Sequence, residues 1–139
     1  MRKLIVALFS LVLALPLAAA ERMQRLGEVD AHYSVFNSSF LKPEIAASYG
    51  LTRGKEMGVL NVSFVADGQG QLVKLTGTVT DLLGRATTLK FKETKEEQAV
   101  YYLAQFKQST REILKFNLDV EFANGQRHNL KFNQEVFPE

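Results

Sequence analysis

Residues 111–136, REILKFNLDVEFANGQRHNLKFNQEV, decide how this chain is read. Leu114, Phe116, Leu118, Val120 and Phe122 alternate with Lys115, Asn117, Asp119 and Glu121. A period of two places one set on a buried face and the other in water, which is the signature of a half-buried β-strand. Asn124-Gly125 interrupts the run and is the strongest hairpin signal in the chain, because a two-residue type I′ loop wants positive φ twice. Leu130, Phe132 and Val136 then resume the alternation opposite Lys131 and Asn133. Two long antiparallel strands joined by a tight turn are therefore predicted here.

The same pattern extends back toward the N-terminus. Ala99 to Lys107 carries bulk on both faces, Val100, Tyr102, Ala104 and Phe106 on one and Tyr101 and Leu103 on the other, as a strand covered twice does. Leu89 with Phe91, Val73 to Val79, Leu60 to Phe64 and Val29 to Val35 are further strands. Asp67-Gly68-Gln69-Gly70 and Asp81-Leu82-Leu83-Gly84 read as turns, Thr94 to Gln98 as a charged turn, and Glu21 to Gly27 as a loosely docked terminus. About seven strands with turn signals every eight to twelve residues predict an all-β fold. The architecture expected is an immunoglobulin-like antiparallel β-sandwich with one short helix; a small up-and-down barrel is the alternative.

The helix belongs to residues 32–64, the one stretch that does not read as strand, turn, strand. Asn37-Ser38-Ser39 forms a corner, and Pro43 suits the first helical position, with Glu44 beside it at the positive end of the helix dipole. Ile45 and Tyr49 lie four apart on one face, expected to plug an end or edge of a sheet, and Gly50 supplies a left-handed stop. Arg53 and Lys55 then sit in a loop between Gly50 and Gly58.

Residues 1–20 read as an export signal: Arg2 and Lys3, an apolar run from Leu4 to Leu17 too short to span a bilayer, and Ala18-Ala19-Ala20 as the cleavage site before Glu21. The expected product is one domain, residues 21–139, released into the periplasm after cleavage at Ala20, with no integral membrane segment. Of 17 Lys and Arg against 15 Asp and Glu, two leave with the signal, so the mature chain is near neutral and gives no reason to expect nucleic acid. The absence of cysteine rules out disulfide staples and lipidation at a cysteine, and burial must hold the fold.

The chemistry-bearing residues are sparse. His32 and His128 are far apart and without ligand spacing, so neither a metal nor another cofactor is expected. The serines lack a Gly-x-Ser-x-Gly elbow, Glu93, Glu96 and Glu97 sit among lysines as a solvated turn does, and Gly68-Gln69-Gly70 precedes a strand rather than a helix. No catalytic residue is assigned, and the chain is expected not to be an enzyme. The binding candidates are Asn37 and Ser38, which serve equally well to satisfy the backbone at a strand end, and Arg53 and Lys55, displayed on a loop beside a rigid scaffold.

Several stretches together resemble a family. They are His32-Tyr33-Ser34, Phe36-Asn37-Ser38, Phe40-Leu41 and Pro43-Glu44; Tyr49-Gly50-Leu51 with Arg53; Gly58-Val59-Leu60-Asn61; Leu83-Gly84; Tyr101-Tyr102-Leu103-Ala104; and Leu130-Lys131-Phe132. The chain is similar over its whole mature length to DUF4426, a family of small exported bacterial proteins. The resemblance implies an exported β-rich domain and carries over no activity, cofactor or site residue. A non-catalytic protein-interaction module, bound to some envelope protein, is the expected function. The alternative is a carrier of a small apolar or aromatic ligand in a cavity of the sandwich.

Overall fold

The computed structural model describes residues 21–138; the expected export signal and its cleavage point lie outside the described residues. Two antiparallel sheets face each other. The first runs in the order β1 (Arg22–Leu26), β2 (Val29–Asn37), β3 (Met57–Ala66), β8 (Ala99–Lys107), β7 (Lys92–Glu96), with the two-residue β4 (Gln69–Gly70) also paired to β3. The second runs β10 (Arg127–Val136), β9 (Glu112–Glu121), β5 (Lys74–Thr80), β6 (Ala86–Leu89). The all-β sandwich with one short α-helix, α1 (Pro43–Ser48), is as predicted.

Alternation aims the side chains as expected. Ala31, Tyr33 and Val35 on β2, Leu60, Val62 and Phe64 on β3, and Val100, Tyr102, Ala104 and Phe106 on β8 meet Leu114, Phe116, Leu118 and Val120 on β9 and Leu130 and Phe132 on β10. Aromatic rings fill the centre: Tyr33 stacks on Phe132 at 4.2 Å, Phe132 on Phe116 at 4.9 Å, and Phe116 meets Phe106 edge-on at 5.3 Å. Rings in these offset and edge contacts add roughly 0.5–1.5 kcal/mol per pair beyond their burial.

Several local expectations are corrected. Arg22–Leu26 is no loose terminus but a full strand, registered on β2 from Arg22 opposite Tyr33 to Leu26 opposite Val29. Of the charged turn expected over Thr94 to Gln98, only Glu97 and Gln98 turn; Thr94 to Glu96 belong to an edge strand, Lys92–Glu96, paired with β8. Both are charged because edges are protected by charge against pairing with other chains. The Asn124-Gly125 hairpin has three loop residues, not two: the Phe122 N–H donates to the Gln126 carbonyl, the Gly125 N–H donates back to Phe122, and only Gly125 has positive φ, at 86°.

The helix also lies elsewhere than expected. It packs on the outer face of the first sheet through Ala46, which joins Leu51, Val59 and Leu103 in a second small core with Phe36, Leu41 and Tyr49 against it. Ala46 is 2% exposed whereas Ile45 is 40% exposed. A side chain as small as alanine lets a short helix lie flat on a sheet, so the larger Ile45 is turned to solvent. This explains the bulk on both faces of β8: Leu103 is covered by the helix layer while Tyr102 enters the main core.

Candidate functional site

One end of the sandwich gathers the segments 38–41 and 53–56, the turn 81–85, the connection 108–111 and Phe137. Here β2, β5, β8 and β10 finish and β3, β6 and β9 begin.

The 49–56 loop is fastened from several directions. Asn37, ending β2, donates from Nδ2 to the Lys55 carbonyl at 2.8 Å and accepts the Ser39 N–H at Oδ1 at 2.9 Å. The Ser38 hydroxyl donates to the Gly54 carbonyl and accepts the Gly54 N–H, both at 2.9 Å. The Gln105 carboxamide brackets Thr52, accepting its N–H at 2.9 Å and donating to its carbonyl at 2.7 Å. The Lys92 ammonium donates to the Gly50 carbonyl, and the Tyr49 hydroxyl donates to Glu96 at 2.5 Å. That hydrogen bond to a carboxylate, with burial and the charge of Glu96, pushes the Tyr49 phenol up to about 12.

The four binding candidates thus come together in space but divide in kind. Asn37 and Ser38 are buried, with their polar atoms engaged by the backbone they hold in place. Arg53 and Lys55 are exposed on the loop so held; the Arg53 guanidinium donates to the Ser39 carbonyl at 3.2 Å.

Exposed apolar side chains mark the same end. Phe40, Leu82, Leu83, Ile113 and Phe137 lie there, whereas Met23, Ile45 and Leu72 lie elsewhere. Leu82 and Leu83 are 66% and 78% exposed, yet their turn is held rigidly. Asp81 accepts the N–H groups of Leu83 and Arg85 at 2.9 Å each and pairs with the Arg85 guanidinium at 2.7 Å. The Arg85 N–H first, with that guanidinium, holds the Asp81 carboxyl below its ordinary range against some desolvation. An apolar pair inside a turn bounded by Asp81 and Gly84 was a signal visible in the sequence, where it was read only as a turn.

Two concavities flank the 108–111 connection. A cleft of about 450 Å³ opens between the sheets over Val79, Phe106 and Leu114, rimmed by Asp81, Arg85 and Thr110. A smaller groove of about 120 Å³ is walled by Val35, Phe36, Phe40, Val136 and Phe137, with Asn37, Gln108 and Glu135. A broader hollow of about 630 Å³ lies on the outer face of the second sheet among paired polar residues such as Arg127, Glu121 and Asn129.

The histidines do not meet each other. His32 Nδ1 lies 3.1 Å from Glu21 on the outer side of β2, opposite Met23, and the His128 ring sits against Phe122. Among the described residues no group of three or more His, Cys, Asp or Glu side chains could hold a metal ion, and no helix is long and apolar enough to cross a membrane.

Fold and site together define a small antiparallel β-sandwich with a short helix on the outer face of one sheet and a pinned loop leading from it. The chain belongs to the DUF4426 family, described as a domain of unknown function, whose profile it matches over residues 23–139. It is similar to a DUF4426 family protein from Pseudomonas aeruginosa PAO1, solved as a crystal structure: 44% identity, TM-score 0.79, covering 86% of this chain and 96% of that one. Two structures of FetP from a uropathogenic Escherichia coli strain share the fold. A copper-bound variant has 11% identity and TM-score 0.62 over 87% of this chain and 92% of its own. The as-isolated protein has 12% identity and TM-score 0.62 over 84% and 93%. No curated protein matches the chain.

Proposed function

We propose that this protein is an exported, non-catalytic interaction module of the bacterial envelope, working in the periplasm after loss of residues 1–20. The reading is supported most by one observation: Leu82 and Leu83 stand in solvent on a turn locked by Asp81. Exposing two leucines forgoes roughly 1.5–3 kcal/mol of burial each, a cost that contact with a partner removes. A locked turn loses little conformational freedom on docking, so more of that gain appears as affinity. At the same end of the sandwich, Phe40, Ile113 and Phe137 supply further apolar surface, and the ion pairs Arg85–Asp81 and Arg111–Glu135 supply a polar rim. Interfaces are commonly built with such a centre and edge.

A second reading, a carrier of a small apolar or aromatic ligand, is favoured by the cleft of about 450 Å³ above Phe106 and Leu114. That volume falls within the usual range for ligand pockets, roughly 300–1,000 Å³.

Photocrosslinking from position 83 in intact cells, followed by co-purification, tests the two. The expected result is one stoichiometric envelope protein, lost when the crosslinker is moved to the opposite end of the sandwich at Arg127, where β10 begins. Recovery of no protein, together with a small molecule retained in native mass spectrometry, would replace the module with the carrier.

A further inference from the structure

We infer that the partner docks as an added β-strand: an extended, acidic segment of another protein pairs its main chain with the free edge of β6. Its alternate side chains enter the cleft over Val79, Phe106 and Leu114. This rests on the interaction-module reading and names the partner's chemistry.

The cleft lies where two strand edges are left unpaired. β6 ends the second sheet, with β5 on one side and, among the described residues, no strand on the other. Across the cleft, β7 pairs with β8 only as far as Lys92 opposite Leu103. Beyond that point residues 104–107 of β8 have β3 on one side and no strand on the other. The crossing from β6 to β7, residues 90–91, takes the chain from the second sheet to the first and away from this end. Thr87 records the gap. It lies opposite Val79 and so shares its inward face, yet it is exposed, whereas Leu89 on the same face is buried. Thr87 lines the cleft from one free edge, and Phe106 and Lys107 line it from the other.

Volume alone admits either a small molecule or the inward side chains of a strand; the edge chooses between them. A strand edge presents main-chain N–H and C=O groups at a spacing that another extended main chain matches. The other edges are guarded. β1 carries Arg22 and Arg25, β7 carries Lys92, Glu93, Lys95 and Glu96, and on β10 the Asn133 carbonyl accepts from Arg22. β6 is Ala86-Thr87-Thr88-Leu89, with neither charge nor proline to refuse a neighbour. The turn bearing Leu82 and Leu83 leads directly into it, so a strand seated here continues the apolar contact already proposed.

Charge narrows the partner further. Both acids that line the cleft are engaged, Asp81 by Arg85 and Glu112 by the Thr110 hydroxyl and the Leu82 N–H. Lys107 at the cleft and Lys90 at the end of β6 are exposed and have no ion-pair partner among the described residues. The surplus is positive, and a carboxylate on the docking segment complements it. A second copy of this chain fits poorly, because an antiparallel β6–β6 pair would set Arg85 of one copy against Lys90 of the other.

The test uses the mature protein and a synthetic peptide, N-acetyl-Glu-Val-Thr-Val-Thr-Val-Glu amide, followed by NMR and hydrogen exchange. Saturable shifts at Thr87, Thr88 and Lys107 are expected, with slower exchange of the Ala86–Leu89 amides. N-methylating alternate amides of the peptide separates main-chain pairing from side-chain contact. Methylation of one alternate set should weaken binding about tenfold, the loss expected for one or two hydrogen bonds, and methylation of the other set much less. Lys107→Glu, at an exposed position, should weaken binding about threefold, and should favour a peptide with Lys in place of both Glu residues. Absence of saturable binding, or equal tolerance of both methylated sets, would overturn the inference. So would exchange at Ala86–Leu89 that slows with protein concentration in the absence of peptide, which would assign the edge to a second copy. Each of these results leaves a partner crosslinked at position 83 untouched. Strand addition by the peptide with no protein crosslinked at position 83 would instead retain the β6 site and overturn the module.

Discussion

The Ser38 hydroxyl both donates to and accepts from the backbone of Gly54, at 2.9 Å in each direction, tying the end of β2 to the loop that precedes β3. Ser38 is fully buried, and water has no direct access to its side chain. Ser38→Ala leaves two backbone groups of Gly54 without their partner. Each unsatisfied buried group costs about 1–3 kcal/mol. Because Gly54 is only partly buried, water recovers part of the cost for both groups; urea unfolding should show a loss of at least about 1 kcal/mol for the variant, and hydrogen exchange at Gly54 should accelerate more than at Leu60 in the core. An unchanged midpoint would mean that the loop closes without this contact.

Arg53 gives the opposite expectation. Its guanidinium reaches the Ser39 carbonyl from solvent, and exposed contacts of this kind contribute little. Arg53→Ala should alter stability by less than about 0.5 kcal/mol in the same unfolding experiment, while weakening any complex that the loop helps to form. A loss above about 1 kcal/mol would make Arg53 a fastener like its neighbours.

This division between Ser38 and Arg53 shows where the sequence was legible. Strands that alternate, such as β9 with Phe116, Leu118 and Val120, state their face and period directly, and both sheets follow from them. Strands β1 and β7 were hidden because edges are written in charge: Arg22, Arg25, Lys92 and Glu93 look like loop residues until a neighbour pairs with them. Asn37 and Ser38 were identified as notable, but their partners Lys55 and Gly54 lie 18 and 16 residues away, and no local pattern connects them. Gln108 was invisible for a related reason. Nothing in a polar residue after a strand indicates that its side chain will be buried without a partner.

Glu97 stands in the two-residue connection between β7 and β8 with φ of 55°, a conformation that L-residues with a Cβ adopt at a cost of roughly 1–2 kcal/mol. Glu97→Gly relieves that cost but gives the unfolded chain more freedom, offsetting part of the gain. Thermal unfolding of the variant should therefore show a melting temperature equal to or a few degrees above the parent's. A fall would show that the Glu97 side chain makes a contribution larger than the backbone strain.

Three tyrosines should make the fold sensitive to alkali. Tyr49 is pushed up to about 12, chiefly by its hydrogen bond to Glu96; Tyr101 is raised by burial and then by Glu96 and Glu21; Tyr102 is raised by burial, partly offset by the Val73 backbone. In each, the folded state keeps its proton where the unfolded chain loses it near 10. Their contribution is thus complete below pH 10 and is lost as pH rises from 10 toward 12. Urea midpoints measured across that window should fall, and Tyr49→Phe should fall less steeply than the parent. Equal slopes would show that the Tyr49–Glu96 bond is not maintained in solution.

Gly77 shows how closely the second sheet is packed. It lies on the inner side of β5 opposite Leu118, and a Cβ there would come 2.4 Å from Leu118 Cδ2 and 2.9 Å from the Asn117 carbonyl oxygen. The leucine methyl can rotate, but the carbonyl belongs to the β5–β9 ladder and can move only by shifting two strands. Overpacking of this kind costs about 1–3 kcal/mol. Gly84→Ala provides the contrast: no atom lies within 4 Å of its Cβ position, and only its φ of 82° opposes the change. Gly77→Ala should therefore lower the urea midpoint and perturb amide shifts along β9 from Asn117 to Leu118, whereas Gly84→Ala should perturb only the turn. If both variants disturbed only their own neighbours, the sheet would be more yielding at Asn117 than its hydrogen-bonded register implies.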